Sequence, residues 1–383
     1  MLDLGQRTLS FNRPWRASRE SLRIQECLAS GKLSGDGPFT QQVRTWLEAL
    51  TGAPAVLLTT SCTSALELAA LLLNLQPEDE VILPSYTFVS TANPFCLRGA
   101  VPVFADIDPA TMNMDPRHAL SLVTDRTRAF VPVHYGGVGC SMDQLLAFSR
   151  GAGIAVVEDA AQGIGATRKG RALGSEGALG AISFHETKNI GCGEGGALLV
   201  NDVYLVERAL VLREKGTNRS QFLRGMVDKY TWVDVGSSFL SSDLLAALLL
   251  SQLEELELVT ASRRRLWQAY HEELSPLARK GHLFLPDPQL QEEGNGHIFW
   301  MLASDATERD RLIEHLRQRG VAACFHYVPL HLSPMGRRYG GREGQLPVTE
   351  SLAGRLVRLP LWAGMQEDDA RWAAQAVNGF YAA

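Results

Sequence analysis

No stretch of this 383-residue chain is both long and apolar enough to cross a membrane; about 18 consecutive apolar residues would be needed. The best candidate, Leu244 to Leu250, is short and runs into Gln252, Glu254 and Glu255. Cysteine is scarce. There are six, at 27, 62, 96, 140, 192 and 324, none in CxxC spacing. That pattern speaks against a disulfide framework or a zinc site, and reduced, mostly buried thiols are expected. Positive charge is not in excess: 37 Lys and Arg face 42 Asp and Glu, for a formal charge of -5, which argues against a nucleic-acid-binding protein. The basic triplet Arg263-Arg264-Arg265 reads as the solvated face of a helix. The first residues, Met1 to Arg7, lack the cationic start and apolar run of a secretory leader, so a cytoplasmic location is expected. No internal repeat or low-complexity segment appears.

What is present is alternation. Short apolar runs at 55–58, 81–83, 102–105, 129–133, 154–158, 181–184 and 197–200 read as strands, and helical patterns at 64–73, 91–98, 142–149 and 203–214 lie between them. Such alternation predicts an α/β fold with a mainly parallel sheet covered by helices on both faces. Sites in such sheets form at the carboxyl ends of the strands. Before the first strand, helices are expected near 18–28 and 41–50, separated by the turn-rich run 30–38. A long apolar helix is expected at 241–258, then helices at 261–277, 307–319 and 367–381 and strands at 297–302 and 321–327. The change of pattern suggests a large domain over 1–258, with its N-terminal arm, and a smaller C-terminal α/β domain over 259–383.

Two groups carry chemistry. Lys188 lies in Ser183-Phe184-His185-Glu186-Thr187-Lys188-Asn189, between an apolar run and the glycine-rich turn Gly191-Cys192-Gly193-Glu194-Gly195-Gly196. Asp159 ends the apolar run Ile154-Ala155-Val156-Val157-Glu158-Asp159. A lone lysine after a strand is ordinarily a solvated charge, and a strand-terminal aspartate is often a cap or a metal ligand. Together they suit pyridoxal phosphate, which needs a Schiff-base lysine and an acid on the pyridinium nitrogen. A buried amine gives up its proton easily and attacks carbonyls. Ser61-Cys62-Thr63-Ser64 opens an apolar helix whose free N–H groups would suit a phosphate, although serine and threonine cap most helices. Phe88, after a strand, would stack on a ring or be plain core. In His326-Tyr327-Val328-Pro329-Leu330-His331 no acidic partner has metal-site spacing, so no metal is expected. Substrate contact and structural packing stay open for His326, Tyr327 and His331, and equally for His134 and Tyr135.

Taken in order, Thr63-Ser64-Ala65-Leu66, Pro84-Ser85-Tyr86-Thr87-Phe88, Glu158-Asp159-Ala160-Ala161-Gln162, the Lys188 segment and the His326 segment resemble the nucleotide-sugar aminotransferases of the DegT/DnrJ/StrS family. These are fold-type-I, pyridoxal-phosphate-dependent enzymes. The resemblance runs from about residue 30 to the C-terminus. It implies that Lys188 holds the cofactor and Asp159 its ring nitrogen, with Gln162 on the ring hydroxyl and Phe88 stacked on the ring. Thr63, Ser64 and Ser183 would cradle the phosphate. Many members carry Gly-x-Asn-Tyr-Arg, in which the asparagine reaches the partner subunit's phosphate; this chain has Gly236-Ser237-Ser238-Phe239-Leu240, with the shorter Ser238 at that place. The run Ile190-Gly191-Cys192-Gly193 likewise departs from the tyrosine-containing version found in similar members.

The segments 30–37, 213–222 and 227–232 resemble those members that use L-glutamate to aminate C4 of dTDP-4-dehydro-6-deoxy-D-glucose. That implies the products dTDP-4-amino-4,6-dideoxy-D-galactose and 2-oxoglutarate, in the deoxyaminosugar supply of lipopolysaccharide or another surface polysaccharide. The family's 3-dehydratases have histidine in place of this lysine, so Lys188 favours transamination. A homodimer with shared active sites is implied, the loop 215–230 reaching the neighbour, and no nucleic acid or membrane partner. Lys32, Asn218 and Arg219 are candidate donors to the nucleotide diphosphate. The rival readings are the gluco epimer, amination at C3 of another nucleotide sugar, and a non-catalytic sugar-binding or regulatory relative.

Overall fold

The computed structural model describes residues 7–382. In chain order the first nine strands are β1 (Ala55–Thr59), β2 (Glu80–Pro84), β3 (Val101–Ala105), β4 (Thr127–Phe130), β5 (Ala155–Asp159), β6 (Thr167–Arg168), β7 (Arg171–Ala172), β8 (Leu179–Ser183) and β9 (Gly196–Val200). β6 and β7 pair only with each other, and the other seven form one sheet in the order β1-β9-β8-β5-β4-β2-β3. β3, β2, β4, β5 and β8 run parallel. β9 is antiparallel to both of its neighbours. All seven apolar runs read as strands from the sequence lie in this sheet, and the α/β class is the one observed.

Burial on two faces explains the near-continuous apolar strands: β2, β8 and β9 are buried at every position. The first helices are α1 (Glu20–Ser30), α2 (Pro38–Thr51) and α3 (Cys62–Leu72). On one face Leu66 and Leu68 of α3 pack in a cluster with Leu57, Leu83, Val157 and Leu198. On the other, Val43 and Leu47 of α2 and the helix Asp243–Leu253 cover Val56, Leu58, Ile182 and Leu199. Each such enclosed leucine or valine contributes about 1.5–3 kcal/mol relative to an exposed one. Adjacent residues of β1 thus alternate between the two layers, as the period of a strand requires.

The antiparallel return of β9 has a local cause. No crossover helix joins it to β8, and a parallel partner would need one. Instead residues 184–195 close on themselves, with Phe184 N–H donating to Gly195 O at 2.8 Å, Cys192 N–H to Phe184 O at 2.9 Å and Glu186 N–H to Gly193 O at 2.9 Å. Lys188 therefore stands on a tied loop between two core strands.

The C-terminal region has its own sheet, β10 (Phe299–Leu302) antiparallel to β11 (Leu356–Leu359). Around it Phe299, Met301, Val357 and Leu359 cluster with Leu312 and Leu316 of the helix Ala306–Gln318 and Ala373 and Val377 of the helix Glu367–Tyr381. The helix Leu256–Arg279 joins this region to the rest: Leu256 and Val259 belong to the large-sheet core, and Leu266, Trp267 and Tyr270 to the C-terminal cluster.

Three local expectations are corrected. The segment 321–327 is not a strand. It makes only isolated bridges, Val321 to Leu9 and Cys324 to Arg358, because the chain leaves the edge of β11 after one pair of backbone bonds (2.7 and 3.2 Å). The helices expected at 241–258 and 261–277 divide elsewhere, between Leu253 and Leu256. At that point the Glu255 carboxylate is held by Trp15 Nε1 at 2.8 Å and by the N–H and hydroxyl of Ser18. The helix expected at 91–98 is a 3₁₀ turn, Val89–Thr91, and one turn of α-helix, Asn93–Cys96, with Pro94 removing a donor. Among the described residues no helix is long and apolar enough to cross a membrane.

Candidate active site

The carboxyl ends of β1, β5 and β8, the loop after β2 and the tied loop 184–195 open onto one cavity of about 510 Å³. Its wall includes Lys188, Asp159, Gln162, Thr63, Ser183 and Phe88, together with His326 and Tyr327 from the C-terminal region. Eight of the residues singled out in the sequence thus meet in one space.

Asp159 is buried and its carboxylate is held from two sides. Thr91 Oγ1 donates to Oδ2 at 2.7 Å and Ala161 N–H donates to Oδ1 at 3.1 Å. Thr87 stands behind Thr91, hydroxyl to hydroxyl at 2.7 Å. Neither threonine was singled out in the sequence; both lie on the turn after β2 and line the cavity. Across from them the Lys188 amine makes no ion pair or hydrogen bond among the described residues. Burial lowers its pKa below 10.5 and nearby Arg358 lowers it too, whereas Cys62 and Asp159 pull the other way. The neutral amine, the nucleophilic form, is therefore reached at lower pH than in a free lysine.

α3 begins at the same wall. Ser61 caps it by accepting from Ser64 N–H at 3.0 Å. The first N–H groups of the helix, at Cys62 and Thr63, have no intrahelical acceptor, the arrangement that binds phosphate. Thr63 Oγ1 reaches Ser90 Oγ at 2.9 Å, and Ser61, Thr63, Ser90 and Ser183 all line the cavity. Ser64 does not: its hydroxyl bonds Thr60 at 2.8 Å and Ser61 at 3.0 Å inside the cap. A Cβ on Gly196, at the start of β9, would lie 2.4 Å from Cys62 N, so this strand passes directly under the helix start.

Gln162 uses its amide to position others. Its Oε1 accepts from Gly136 N–H at 2.7 Å, and its Nε2 donates to the Tyr327 hydroxyl at 3.1 Å. Tyr327 stacks on His326 with centroids 3.6 Å apart, and His326 Nδ1 meets the Tyr135 hydroxyl at 2.8 Å. Phe88, 55 % exposed, lies 6.3 Å from Tyr327. Its open face suits a stacked ring better than a core position.

His297 was missed. Its Nδ1 meets Asn189 Oδ1 at 2.8 Å, and Asn189 Nδ2 donates to Asn295 O at 3.2 Å. Asn189 Oδ1 is therefore the acceptor, the proton sits on Nδ1, and Nε2 keeps its lone pair. Burial first, then Lys188, Arg263 and Arg358, push its pKa well down. Arg263 and Arg358 also line the cavity. Arg263, read as solvated, is in fact buried, donating to Gly296 O, His297 O and Leu361 O at 3.2, 2.6 and 3.0 Å. Burial above all drops its pKa to about 9. With Lys188 the wall carries three basic side chains against the carboxylates of Asp159 and Glu194, a balance that favours anionic ligands.

The remaining candidates lie elsewhere. His134 is fully buried off the cavity, between Glu158 Oε2 at 2.8 Å and Cys140 N–H at 3.0 Å. His331 is equally enclosed, joining Ser85 Oγ at 2.6 Å to Glu350 Oε1 at 3.1 Å. Of the two uses left open for these histidines, packing is the one observed, since neither has a free edge toward a ligand. Lys32 is exposed and donates to Ser34 at 2.8 Å. Asn218 Oδ1 accepts from Thr231 N–H at 2.7 Å, and Arg219 pairs with Glu214 at 2.9 Å on the surface. Ser238 is exposed and bridges Glu214. Within one chain none of these four lines the cavity.

A lysine loop, a held carboxylate, an amide beside a tyrosine, an open aromatic face and a helix N-terminus are the parts that pyridoxal phosphate requires, and they fit it. Comparison with known proteins agrees. The spore coat polysaccharide biosynthesis protein SpsC of Bacillus subtilis is 34% identical over 380 residues, 97% of this chain and 96% of that protein. The aminotransferase TlmJ from Streptoalloteichus hindustanus superposes with a TM-score of 0.89 at 32% identity, over 98% of this chain and 99% of that one. NtdA from Bacillus subtilis, solved with bound pyridoxamine phosphate, superposes with a TM-score of 0.84 at 27% identity, covering 94% of this chain and 82% of that one. The model of the DegT/DnrJ/EryC1/StrS aminotransferase family matches residues 16–378, and the chain belongs to that family of sugar aminotransferases.

Proposed function

We propose that this enzyme transfers the amino group of L-glutamate to C4 of dTDP-4-dehydro-6-deoxy-D-glucose, giving dTDP-4-amino-4,6-dideoxy-D-galactose and 2-oxoglutarate. One observation carries the transaminase reading: an unpaired lysine with a lowered pKa shares a cavity with a buried, doubly held carboxylate. The choice of sugar rests on the resemblance of segments 30–37, 213–222 and 227–232. A surface-polysaccharide role is supported by the name of the SpsC relative.

Pyridoxal phosphate, the cofactor, supplies when bound a carbonyl that receives the amino group and a ring that takes up the electron pair freed at the substrate carbon. The chain's residues do the rest. Asp159, held by Thr91 and Ala161, would accept from a protonated ring nitrogen and keep that proton in place. The Lys188 amine, once free, would move the proton at the substrate carbon, since it is held in the same cavity. Thr63, Ser183 and the start of α3 would take the phosphate, and Phe88 and Gln162 would set the ring plane. His297 lines the same cavity, and its Nε2, which keeps its lone pair, would accept from a substrate hydroxyl or ammonium.

The active unit in this reading is a homodimer of two-domain chains divided near 258. Exposed apolar side chains on the loop after Gly216, among them Trp232 at 75 % and Leu223 at 69 %, support a covered surface there. Lys32, Asn218, Arg219 and Ser238 would act across that interface.

The test is one incubation of cofactor-loaded protein with glutamate and the 4-ketosugar nucleotide. Release of 2-oxoglutarate with a product whose H3–H4 proton coupling is small, the mark of an axial C4 amine, is expected. A large coupling would assign the gluco epimer. No 2-oxoglutarate from this or any other keto-sugar nucleotide would overturn the reading.

A further inference from the structure

Every cation at the cavity wall has an assignment except one. Lys188 serves the cofactor, and Arg263 is committed to three backbone carbonyls. Arg358 has nothing comparable. Its backbone is fixed in β11, paired with Trp300 on β10 and bonded both ways to Cys324 at 2.7 and 3.2 Å. Its guanidinium lies 4.9 Å over the ring of Phe11, and both residues line the cavity. Among the described residues no carboxylate pairs with it, and its Nε is enclosed without an acceptor. A guanidinium unpaired in a cavity is costly unless something anionic meets it there.

We propose that Arg358 binds the α-carboxylate of the amino donor, a bidentate contact that orients the amino acid for reaction beside Lys188. The inference rests on the aminotransferase reading above and adds the residue that recognises the donor. Position and chemistry together select this anion. The Arg358 charge is close enough to Lys188, His297 and His326 to depress each of them. An α-amino acid carries its carboxylate one carbon from its nitrogen, so when that nitrogen replaces the lysine amine, the carboxylate must lie near Lys188. A sugar nucleotide reacting at C4 holds its diphosphate on the opposite side of a six-membered ring, farther from the lysine. The cofactor phosphate, finally, has the start of α3 and its hydroxyls on another wall. A planar fork on a strand matches a carboxylate in both geometry and rigidity.

The experiment uses holoenzyme and its Arg358→Gln and Arg358→Lys variants. Each half-reaction is followed alone, by the absorbance change between the pyridoxal and pyridoxamine forms. For Arg358→Gln the glutamate concentration giving half the maximal rate is expected to rise by about 30-fold, the scale of a lost charged hydrogen-bond pair. Arg358→Lys recovers part of the loss. With each protein measured on its own pH plateau, the half-saturating concentration of the keto sugar rises much less than that of glutamate, so the loss is specific to the amino donor. Calorimetry with glutarate, which carries no amine, shows weaker binding to Arg358→Gln holoenzyme by a similar factor. Unchanged glutamate dependence in Arg358→Gln, or a defect confined to the keto-sugar half, overturns the inference while leaving the aminotransferase reading intact. Wild-type holoenzyme that no α-amino acid converts to the pyridoxamine form overturns both.

Discussion

Thr91 donates its hydroxyl to Oδ2 of Asp159 at 2.7 Å, and that hydroxyl is the only side-chain partner the carboxylate has among the described residues. The Ala161 N–H holds the other oxygen at 3.1 Å, so the plane of the acid is set from both ends. Thr91→Val keeps the shape and removes the donor. Losing a hydrogen bond to a charged, enclosed acceptor costs about 1.5–3 kcal/mol, so kcat/KM is expected to fall about tenfold or more. Thr91→Ser should restore most of it. Steady-state kinetics on the three proteins checks this; wild-type kinetics in Thr91→Val would show that Thr91 does not position the acid.

Lys188→Ala should remove the visible absorption of the bound cofactor and lower turnover by at least about 10²–10⁴, the range of a lost general acid–base group. The pH dependence has a defined sign. Burial and Arg358 lower the pKa of the amine from 10.5, so its neutral form dominates at lower pH than for a free lysine. The rate at which apoprotein captures pyridoxal phosphate should therefore level off below pH 10.5. In Arg358→Gln the plateau should move to higher pH, because one of the charges depressing the amine is gone. Stopped-flow absorbance across pH reads both.

The strand ends that carry Asp159 and Ser183 were legible because an apolar run bounded by polar residues marks a buried strand and its carboxyl edge. The lysine loop was legible from its glycines. Arg358 and His297 were not. They reach the cavity from β11 and from the segment before β10, more than 100 positions from Lys188, and no local pattern encodes which face of a two-stranded sheet meets a distant loop. Arg263 misled for a related reason: a basic triplet on a helix resembles solvent-facing charge, and only tertiary packing shows that its first member is bonded to the segments before β10 and after β11. His134 and His331 illustrate the converse. A histidine within an apolar run has the same neighbours in sequence whether it meets substrate or, as here, a buried carboxylate or hydroxyl.

The phosphate cradle can be tested without touching a hydroxyl. At Gly196 an added Cβ would come within 2.3–2.5 Å of the backbone at Ser61 and Cys62, which cannot give as a side-chain tip would. Gly196→Ala should therefore push the start of α3 outward and spoil its N–H cluster. Cofactor affinity is expected to fall about tenfold or more, with the helix content of the protein unchanged. Titration of apoprotein with pyridoxal phosphate, alongside circular dichroism, separates loss of the cradle from loss of the fold. Affinity equal to wild type would mean that the phosphate is held elsewhere.

Behind the site, His134 and Glu158 form a buried pair with a determined proton position. Cys140 N–H donates to His134 Nδ1 at 3.0 Å, so Nε2 carries the hydrogen and donates to Glu158 Oε2 at 2.8 Å. Burial alone would raise the Glu158 pKa, but the bonds from His134 and from the N–H groups of Gly177 and Glu176 outweigh it and hold the carboxyl below 4.5. A carboxyl depressed in the folded state contributes stability that is fully present above its unfolded value and lost as pH falls through the folded one. Unfolding free energy should thus decline as pH drops below 4.5, and Glu158→Gln should lack that part of the decline. At neutral pH the same variant turns an amide N–H₂ either toward the N–H groups of Glu176 and Gly177 or toward those of Gly174 and His134. The expected cost is about 1–3 kcal/mol, that of leaving buried donors without an acceptor. Because β5 runs from Glu158 directly into Asp159, cofactor affinity should weaken together with stability. Denaturant titrations from pH 3 to 8 test the pair, and equal slopes against pH for wild type and Glu158→Gln would remove Glu158 as the source of the acid sensitivity.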